Sequence, residues 1–288
     1  MIILEKISEI KATLDSFDRS MGLVPTMGSL HEGHRSLLKL ARKQNRTVVA
    51  SLFVNPKQFG PSEDFERYPR NWDMDKEIFE EEGVDVLFAP TDDEIYPSGF
   101  STYIDVGHIA EQLEGLHRPN HFKGVATVVC KLLNICKPDH AYFGQKDAQQ
   151  SLIIRKFCED LNLGTEIIIG PTIRDHGGLA LSSRNIYLTP AERESALLIN
   201  KSLEEAKILW MSGKRDSTKI CGLVEQILSS RSNIEIDYVA LVNPDTFLHS
   251  KVAHQGFLLA IAVRIGSTRL IDNLMLNHDS VVTSKNLI

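Results

Sequence analysis

The segment Pro25-Thr26-Met27-Gly28-Ser29-Leu30-His31-Glu32-Gly33-His34 decides the fold class. It follows the apolar run Gly22-Leu23-Val24 and precedes the amphipathic stretch 35–44, so it is predicted to join a strand to a helix. In open α/β sheets, ligands bind beyond the carboxyl ends of the strands, where a helix N-terminus offers N–H groups to phosphate. The segment therefore indicates a phosphate-binding turn, and its two glycines let the backbone come close to a ligand.

Apolar runs and amphipathic stretches alternate on both sides of this segment, which is the pattern of βαβ units. The fold class predicted is α/β, with a Rossmann-type doubly wound parallel sheet. The predicted strands are 22–24, 47–54, 84–89, 141–143 and 166–169. The predicted helices are 35–44, 73–82, 124–135 and 148–161.

The pattern changes after Arg174. Two helices are predicted, at 191–211 and 216–229, and Pro190 stands where a first helical turn accepts proline. Three strands follow that are expected to form a small antiparallel sheet, at 234–242, 257–265 and 269–275. We therefore expect a domain boundary near residue 175, between residues 1–174 and a smaller α+β C-terminal domain of residues 175–288.

Composition excludes several classes of protein. The 288 residues are 42% hydrophobic, so the chain can bury a core and is not expected to be disordered. A net charge of −6 disfavours nucleic acid as a partner and favours small molecules. No apolar run reaches the roughly 20 residues of a membrane span, and charge comes too early for a signal peptide. A cytoplasmic enzyme with four reduced cysteines is expected, since no Cys-x-x-Cys pair occurs.

His31 and His34 are the first candidate catalytic residues. Being three apart, they are expected on one side of the first helical turn, where imidazoles can stabilise a triphosphate as pyrophosphate leaves. Two alternatives stay open for the pair alone: a helix cap with a solvated surface histidine, or a metal site. Zinc is disfavoured because no third ligand lies at a matching spacing.

Two neutral amides follow the second predicted strand. Asn55 and Gln58 can hold a hydroxy acid without neutralising a carboxylate that must act as nucleophile, whereas arginine would depress its reactivity. The alternative is an Asn-Pro turn with an exposed amide. Placed at the ligand edge of the sheet, these residues favour substrate binding.

Two further segments carry groups suited to phosphate. In Gly144-Gln145-Lys146-Asp147, Lys146 can meet phosphate as a point charge, Asp147 suits a helix N-terminus or ribose hydroxyls, and Gln150 lies one turn further on. In Leu181-Ser182-Ser183-Arg184, two hydroxyls and a guanidinium can form a mobile phosphate clamp. Taken singly, a capped helix start and a polar loop are the alternatives.

These four segments, with residues 118–129 between them, closely resemble the pantothenate synthetase family over nearly the whole chain. The segment His31-Glu32-Gly33-His34 is similar to the HIGH motif of class I aminoacyl-tRNA synthetases, and residues 181–184 are similar in role to their KMSKS motif. The resemblance implies ATP-dependent condensation of pantoate with β-alanine through a pantoyl adenylate, with release of AMP and diphosphate. It also implies Mg²⁺ on the triphosphate, a homodimer, a nucleotide- and pantoate-binding N-terminal domain and a C-terminal lid.

The resemblance also implies roles for particular residues. Pantoate would be bound by Gln58 and Gln150, with Asn55 in the same site. Catalytic roles fall to His34, His31, Lys146, Ser182, Ser183 and Arg184. Contacts with ATP fall to Met27, Gly28, Ser29, Leu30, His31, Glu32, Gly33, His34, Gly144, Gln145, Lys146, Asp147, Ile173, Leu181, Ser182, Ser183 and Arg184.

The sequence departs from the family pattern at His117 and at His176-Gly177, which affects the loop near the pantoate site and the stiffness expected of the clamp hinge.

Three other functions are alternatives to the ligase. Transfer of a nucleotidyl group to a phosphorylated acceptor is disfavoured by the neutral Gln58 and Gln150. A tRNA synthetase is disfavoured by the short, acidic chain. A module that binds ATP without turnover would be distinguished by the absence of AMP and pyrophosphate.

Overall fold

The computed structural model describes residues 1–61 and 63–277, and the remainder of the predicted C-terminal domain, residues 278–288, lies outside the described residues. Contacts divide the chain into two compact units, each with its own sheet. The first unit comprises Met1–Gly144 and Gln150–Gly170, and the second comprises Gln145–Gln149 and the chain from Pro171 onward.

The first unit contains a six-stranded parallel sheet of order β1-β4-β3-β2-β5-β6. Its strands are β1 (Ile2–Leu4), β2 (Met21–Thr26), β3 (Thr47–Leu52), β4 (Val86–Phe88), β5 (His140–Gly144) and β6 (Glu166–Gly170). The order reverses direction between β2 and β5, which makes this the topological switch point where such sheets bind ligands. Thr26 and Gly144, the last residues of these two strands, mark that edge.

Helices cover both faces of this sheet, which confirms the doubly wound architecture. The helices are α1 (Ile7–Leu14), α2 (Glu32–Gln44), α3 (Trp72–Glu81), α4 (Asp92–Ile95), α5 (Glu114–His117), α6 (His121–Cys136) and α7 (Ala148–Asp160). Neighbouring residues of β2 show the two faces, because Leu23 lies in the core beneath α1, α6 and α7, while Val24 lies in the core beneath α2 and α3.

The second unit packs α8 (Pro190–Met211) and α9 (Ser217–Leu228) on an antiparallel sheet of β7 (Ile234–Val242), β8 (Leu258–Ile265) and β9 (Thr268–Met275). A capping box between Thr189 and Glu192 starts α8, with Pro190 in its first turn as predicted. The core contains Trp210 of α8 and Ile261 of β8. This confirms the predicted α+β character of the C-terminal part.

The elements differ from the predicted ones mainly at their ends. Helix α2 begins at Glu32 rather than 35, because the side chain of His31 caps it. Strand β1 and the short helices α4 and α5 were not predicted, since runs of three or four residues carry little periodicity. The eight-residue helix α1 was not predicted either. None of the helices in the described part of the chain is both long and apolar enough to cross a membrane.

Candidate active site

The turn after β2 is held in an unusual backbone conformation by a buried carboxylate. Gly28 and Ser29 both have positive φ, at 86° and 53°. Asp75 of α3 accepts hydrogen bonds from the amide of Ser29 at 2.8 Å and from that of Leu30 at 2.7 Å. A Cβ at Gly28 would lie 2.9 Å from Asp75 Oδ2, so glycine is required there. Burial raises the pKa of Asp75, although the two amides act in the opposite direction.

The two histidines cap the helix reciprocally. His31 Nδ1 accepts from the amide of Gly33 at 3.1 Å, and His34 Nδ1 accepts from the amide of His31 at 3.3 Å. A ring nitrogen that accepts carries no proton, so each neutral imidazole has its proton on Nε2. The ring centroids are 4.1 Å apart. The capping role considered for one histidine is therefore present, and both rings are Nε2–H donors, as phosphate oxygens require.

The backbone amides of this turn have side-chain acceptors. This holds for the amides of Ser29, Leu30, His31 and Gly33. The sequence predicted unpaired amides at this helix N-terminus, and these four amides are instead paired within the protein. Among the described residues, no group of three or more His, Cys, Asp or Glu side chains is arranged to hold a metal ion.

The amide of Asn55 is buried and engaged within the protein. It is 1% exposed, so the alternative of an exposed Asn-Pro turn is wrong. Its Nδ2 donates to the carbonyl of Gly124 at 3.2 Å and to Gln58 Oε1 at 3.0 Å. Its Oδ1 accepts from the hydroxyl of Tyr96 at 2.7 Å and from the amide of Lys57. A carbonyl can only accept and an amide N–H can only donate, so these contacts fix which way the Asn55 side chain faces.

Gln58 is oriented in turn by Asn55. Because its Oε1 accepts from Asn55, its Nε2 is the group left to donate, and that atom lies 3.1 Å from the weak acceptor Met27 Sδ. The 3₁₀ turn Pro56–Gln58 packs directly against α6, since a Cβ at Gly124 would lie 2.2 Å from the carbonyl oxygen of Lys57. The structure thus presents Gln58 as a neutral donor on a rigid turn.

A buried histidine supports the same turn from α6. His121 Nδ1 lies 2.8 Å from the carbonyl oxygen of Gln58, and Arg118 Nη1 lies 3.1 Å from His121 Nε2. Arg118 also donates to both carboxylate oxygens of Glu63, at 2.8 and 2.6 Å. Burial, with a smaller contribution from Arg118, lowers the pKa of His121 to about 4. The ring is therefore neutral near pH 7, with Nε2 accepting and Nδ1–H donating to Gln58.

The remaining predicted residues of the first unit lie at the end of β5 and in α7. Gly144 is the last residue of β5, and its carbonyl accepts from the hydroxyl of Ser151 at 3.2 Å. Gln150 is half-buried in the first turn of α7. The first unit therefore contains Gln58 and Gln150, together with Met27 to His34.

In the second unit, Lys146 lies in a 3₁₀ turn, Gln145–Asp147, that is anchored to β9. Asn273 Nδ2 donates to the carbonyls of Gln145 and Lys146, each at 2.9 Å, and Asn273 Oδ1 accepts from Gln145 Nε2 at 2.9 Å. Lys146 Nζ lies 3.5 Å from Asp147 Oδ1. The cation is thus placed by a turn whose backbone is fixed from a distant strand.

The same unit joins Ile173 to Leu181. The amide of Leu181 donates to the carbonyl of Ile173 at 2.9 Å, which closes a hairpin of residues 173–181. Asp175 Oδ1 accepts from the amides of Gly177 and Leu179, each at 2.9 Å, so the loop with the His176-Gly177 departure is hydrogen-bonded internally.

The polar residues of the fourth segment follow this hairpin directly. Ser182 caps the 3₁₀ turn Ser183–Tyr187 by accepting from the amide of Arg184 at 3.3 Å. Ser183 is buried. The segment is therefore structured at its start rather than an irregular polar loop.

These features define a nucleotide-binding α/β protein of Rossmann type, and comparison with known proteins is consistent with this class. The family model described as pantoate-β-alanine ligase matches residues 2–275. A pantothenate synthetase of Acetivibrio thermocellus is 50% identical over 278 residues, which cover 96% of this chain and 99% of that protein. A pantothenate synthetase of Thermoanaerobacter sp. is 49% identical, with coverage of 96% and 98%.

Solved structures agree. A crystal structure of pantothenate synthetase from Thermus thermophilus has a TM-score of 0.92 and 41% identity, covering 96% of this chain and all of that one. A pantoate-β-alanine ligase from Francisella tularensis, in complex with β-γ ATP and β-alanine, has a TM-score of 0.80 and 36% identity, with coverage of 96% and 98%. The chain belongs to the pantoate-β-alanine ligase family.

Several residues that shape these turns were not assigned a role from the sequence. Asp75, Tyr96, His121 and Asn273 lie in or directly beside helices and strands, outside the four segments. A signal exists for one of them: Asp272 and Asn273 are consecutive polar residues between the apolar pairs 270–271 and 274–275 of β9, where alternation would allow one. A buried polar pair of this kind indicates a long-range contact.

Proposed function

We propose that this chain catalyses the ATP-dependent condensation of pantoate with β-alanine to pantothenate. The reaction passes through a pantoyl adenylate and releases AMP and diphosphate. The observation that carries the proposal is the presence, on a chain of this family, of a neutral donor at Gln58 beside a turn that presents two imidazole Nε2–H groups. Both groups suit a reaction between a carboxylate and a triphosphate.

In the first step, the pantoate carboxylate attacks the α-phosphate of ATP in line, and pyrophosphate leaves. His31 and His34 donate through Nε2–H to phosphate oxygens, where negative charge accumulates. Lys146, Ser182, Ser183 and Arg184 spread the remaining charge. Mg²⁺ enters as part of the ATP substrate and screens its phosphates. The further ATP contacts proposed are Met27, Gly28, Ser29, Leu30, Glu32, Gly33, Gly144, Gln145, Asp147, Ile173 and Leu181.

Pantoate is held by neutral amides in this scheme. Gln58 donates through Nε2 and Gln150 provides a second amide, while Asn55 belongs to the same site. A neutral donor orients the carboxylate without lowering its nucleophilicity, in contrast with an arginine ion pair. A phosphorylated acceptor would call for cations here, which favours the ligase over nucleotidyl transfer to such an acceptor.

In the second step, the β-alanine amine attacks the activated carbonyl and expels AMP. This step needs positioning and exclusion of water, and no enzyme nucleophile. In the same scheme, residues 1–174 bind the nucleotide and pantoate, residues 175–288 act as a lid, and the enzyme works as a homodimer in the cytoplasm.

The experiment that tests the proposal is isotope exchange without β-alanine. With pantoate, ATP and Mg²⁺, reversible adenylate formation should move labelled pyrophosphate into ATP, and omission of pantoate should abolish the exchange. Addition of β-alanine should then transfer carboxylate ¹⁸O to AMP. Formation of ADP would show γ-phosphoryl transfer and overturn the mechanism, while ATP binding without turnover would favour a nucleotide sensor.

A further inference from the structure

One dipeptide of β9 contacts two segments that the proposed function uses. Asn273 is 5% exposed, and its side chain makes three hydrogen bonds to the Lys146 turn. Both of its donors meet backbone carbonyls, which can only accept, so the orientation of the amide is fixed. All three of these hydrogen bonds go to residues 145 and 146.

The preceding residue, Asp272, contacts the other segment. It is 2% exposed and forms a bidentate ion pair with Arg174, in which Arg174 Nη2 lies 3.0 Å from Asp272 Oδ1 and Nη1 contacts Oδ2. Arg174 Nη1 also donates to the carbonyl of Gly178 at 3.2 Å. Arg174 and Gly178 lie within the hairpin of residues 173–181, which leads directly into Ser182.

We propose that Asp272 and Asn273 are positioning residues that hold the Lys146 turn and the 173–181 hairpin in one fixed arrangement. Successive side chains leave a strand on opposite faces, so two adjacent residues can fix two separate segments to one backbone. A further hydrogen bond, from the amide of Asn273 to Asp272 Oδ1 at 2.8 Å, ties the pair together. The inference rests on the proposed role of Lys146 in ATP activation.

The physical need for such a pair comes from the lysine itself. Lysine is a point charge on a flexible four-carbon stem, so its ammonium is placed only as well as its backbone is. The Lys146 turn is a single 3₁₀ turn of Gln145–Asp147, and such a turn has few hydrogen bonds of its own. A displacement of about 1 Å at a reacting group can cost 10²-fold in rate. The three bonds from Asn273 supply the missing constraint.

The test replaces Asn273 by aspartate in two backgrounds. Asn273→Asp keeps the shape but puts a carboxylate oxygen in the place of Nδ2, facing two carbonyl oxygens, so the turn is repelled there rather than held. We expect kcat of the pantoate-dependent exchange to fall roughly 10- to 100-fold, with KM for pantoate changed less than about twofold. In a Lys146→Ala background, the same substitution should cause no further loss, because neighbours that act as a unit are not additive.

A matched control separates positioning from general destabilisation. Asp237 lies on β7 in the same sheet, and its carboxylate oxygens lie 2.6 Å from Arg269 Nε and 3.3 Å from Arg264 Nε. Asp237→Asn is also isosteric and should weaken both contacts. We expect it to lower the thermal midpoint while leaving kcat unchanged at temperatures well below that midpoint. Should Asn273→Asp fail to fold, Asn273→Ser keeps one donor for the turn and carries the same comparison.

The hairpin half of the inference has its own variant. Asp272→Asn keeps an oxygen for the Asn273 amide but removes the charge that Arg174 binds, so KM for ATP should rise several-fold. In an Arg174→Met background, Asp272→Asn should not raise KM for ATP any further.

The outcomes distinguish two failures. If the unsubstituted protein shows no pantoate-dependent exchange, the proposed function fails. If it is active but Asn273→Asp reduces kcat by the same factor with and without Lys146, the residue is merely structural and the inference is overturned.

Discussion

The turn after β2 and the Lys146 turn both carry groups proposed to contact phosphate, but they are held in different ways. In the first, the histidine rings accept amides from within the same few residues, and Asp75 is the external anchor among the contacts described above. In the second, the backbone is held by Asn273, which lies 127 and 128 residues further along the chain. The first turn is held partly by its own side chains, whereas the backbone of the second is held by a residue distant in the sequence.

This difference predicts which substitutions should affect function. A turn that caps itself should be damaged chiefly by changes within it, so binding groups and supporting groups coincide. A turn held from a distant strand should be damaged by changes far away in the sequence, at residues that never meet the ligand. Substitutions at both turns test this contrast.

The largest effect should come from His34→Ala and Lys146→Ala, each lowering kcat roughly 10²–10³-fold because charge develops at their proposed contacts in the transition state. Their stabilities should differ. His34→Ala removes the acceptor of the His31 amide, a cap worth about 0.5–2 kcal/mol, whereas the Lys146 ammonium lies beside the Asp147 carboxylate. Exchange kinetics and thermal unfolding measure both. His34→Asn, which retains an acceptor, should recover stability but not kcat. Equal losses of stability in the two alanine variants would contradict the difference proposed between the two turns.

The next effect concerns the external anchor of the first turn. Asp75→Asn replaces one of two accepting oxygens by an NH₂ group, which cannot accept from Ser29 or Leu30. A hydrogen bond to a charged group is worth about 1.5–3 kcal/mol, so kcat/KM for ATP should fall about tenfold or more, with KM for pantoate nearly unchanged. Initial-rate kinetics with each substrate varied in turn measure this. A variant with normal ATP kinetics would show that the histidine cap alone holds the turn.

A smaller effect is expected at Gln58, because a neutral hydrogen bond is worth about 0.5–1.5 kcal/mol. Gln58→Ala should raise KM for pantoate several-fold and leave ATP affinity nearly unchanged. Asn55→Ala should also raise KM for pantoate, because the Asn55 amide donates to Gln58 Oε1 and so acts through Gln58. In a Gln58→Ala background, Asn55→Ala should therefore not raise this KM further. Additive effects would place Asn55 in direct contact with pantoate. Tyr96→Phe, which removes only the hydroxyl donor to Asn55, is the milder companion variant.

The last prediction concerns stability against pH and should leave the kinetics at neutral pH least affected. The pKa of His121 is about 4 in the folded protein and about 6.5 in an unfolded chain. Between these values the unfolded chain binds a proton that the folded protein does not, so stability decreases as the pH is lowered, by up to about 1.4 kcal/mol per unit. His121→Gln should remove this contribution, giving a shallower dependence in denaturant titrations from about pH 6.5 to 4.5. An unchanged slope would mean that His121 is protonated in the fold.

Much of the fold could be predicted because its elements are long and periodic. The helix over 191–211 and the strand over 234–242 match α8 and β7 closely, since capping residues and alternation mark them. Strand β1 could not be predicted, because three residues form a strand only by pairing with β4. The predicted start of α2 is too late, because the capping role of an imidazole is weaker in sequence statistics than that of Ser, Thr, Asp or Asn.

The amino-acid sequence is enough to predict which groups are available for chemistry and which strand ends they follow. Parallel strands gather their carboxyl ends at one edge, so residues following β2 and β3 could be expected to meet. The orientation of those groups depends on the tertiary structure. The Asn55 amide orients Gln58 as a donor, the Asp75 carboxylate holds the turn after β2, and Asn273 holds the backbone of Lys146. The contacts of Asp75 and Asn273 join residues far apart in the chain, and the Asn55 side chain, although close to Gln58 in sequence, is oriented by the distant Gly124 and Tyr96. No local periodicity or spacing encodes these long-range contacts.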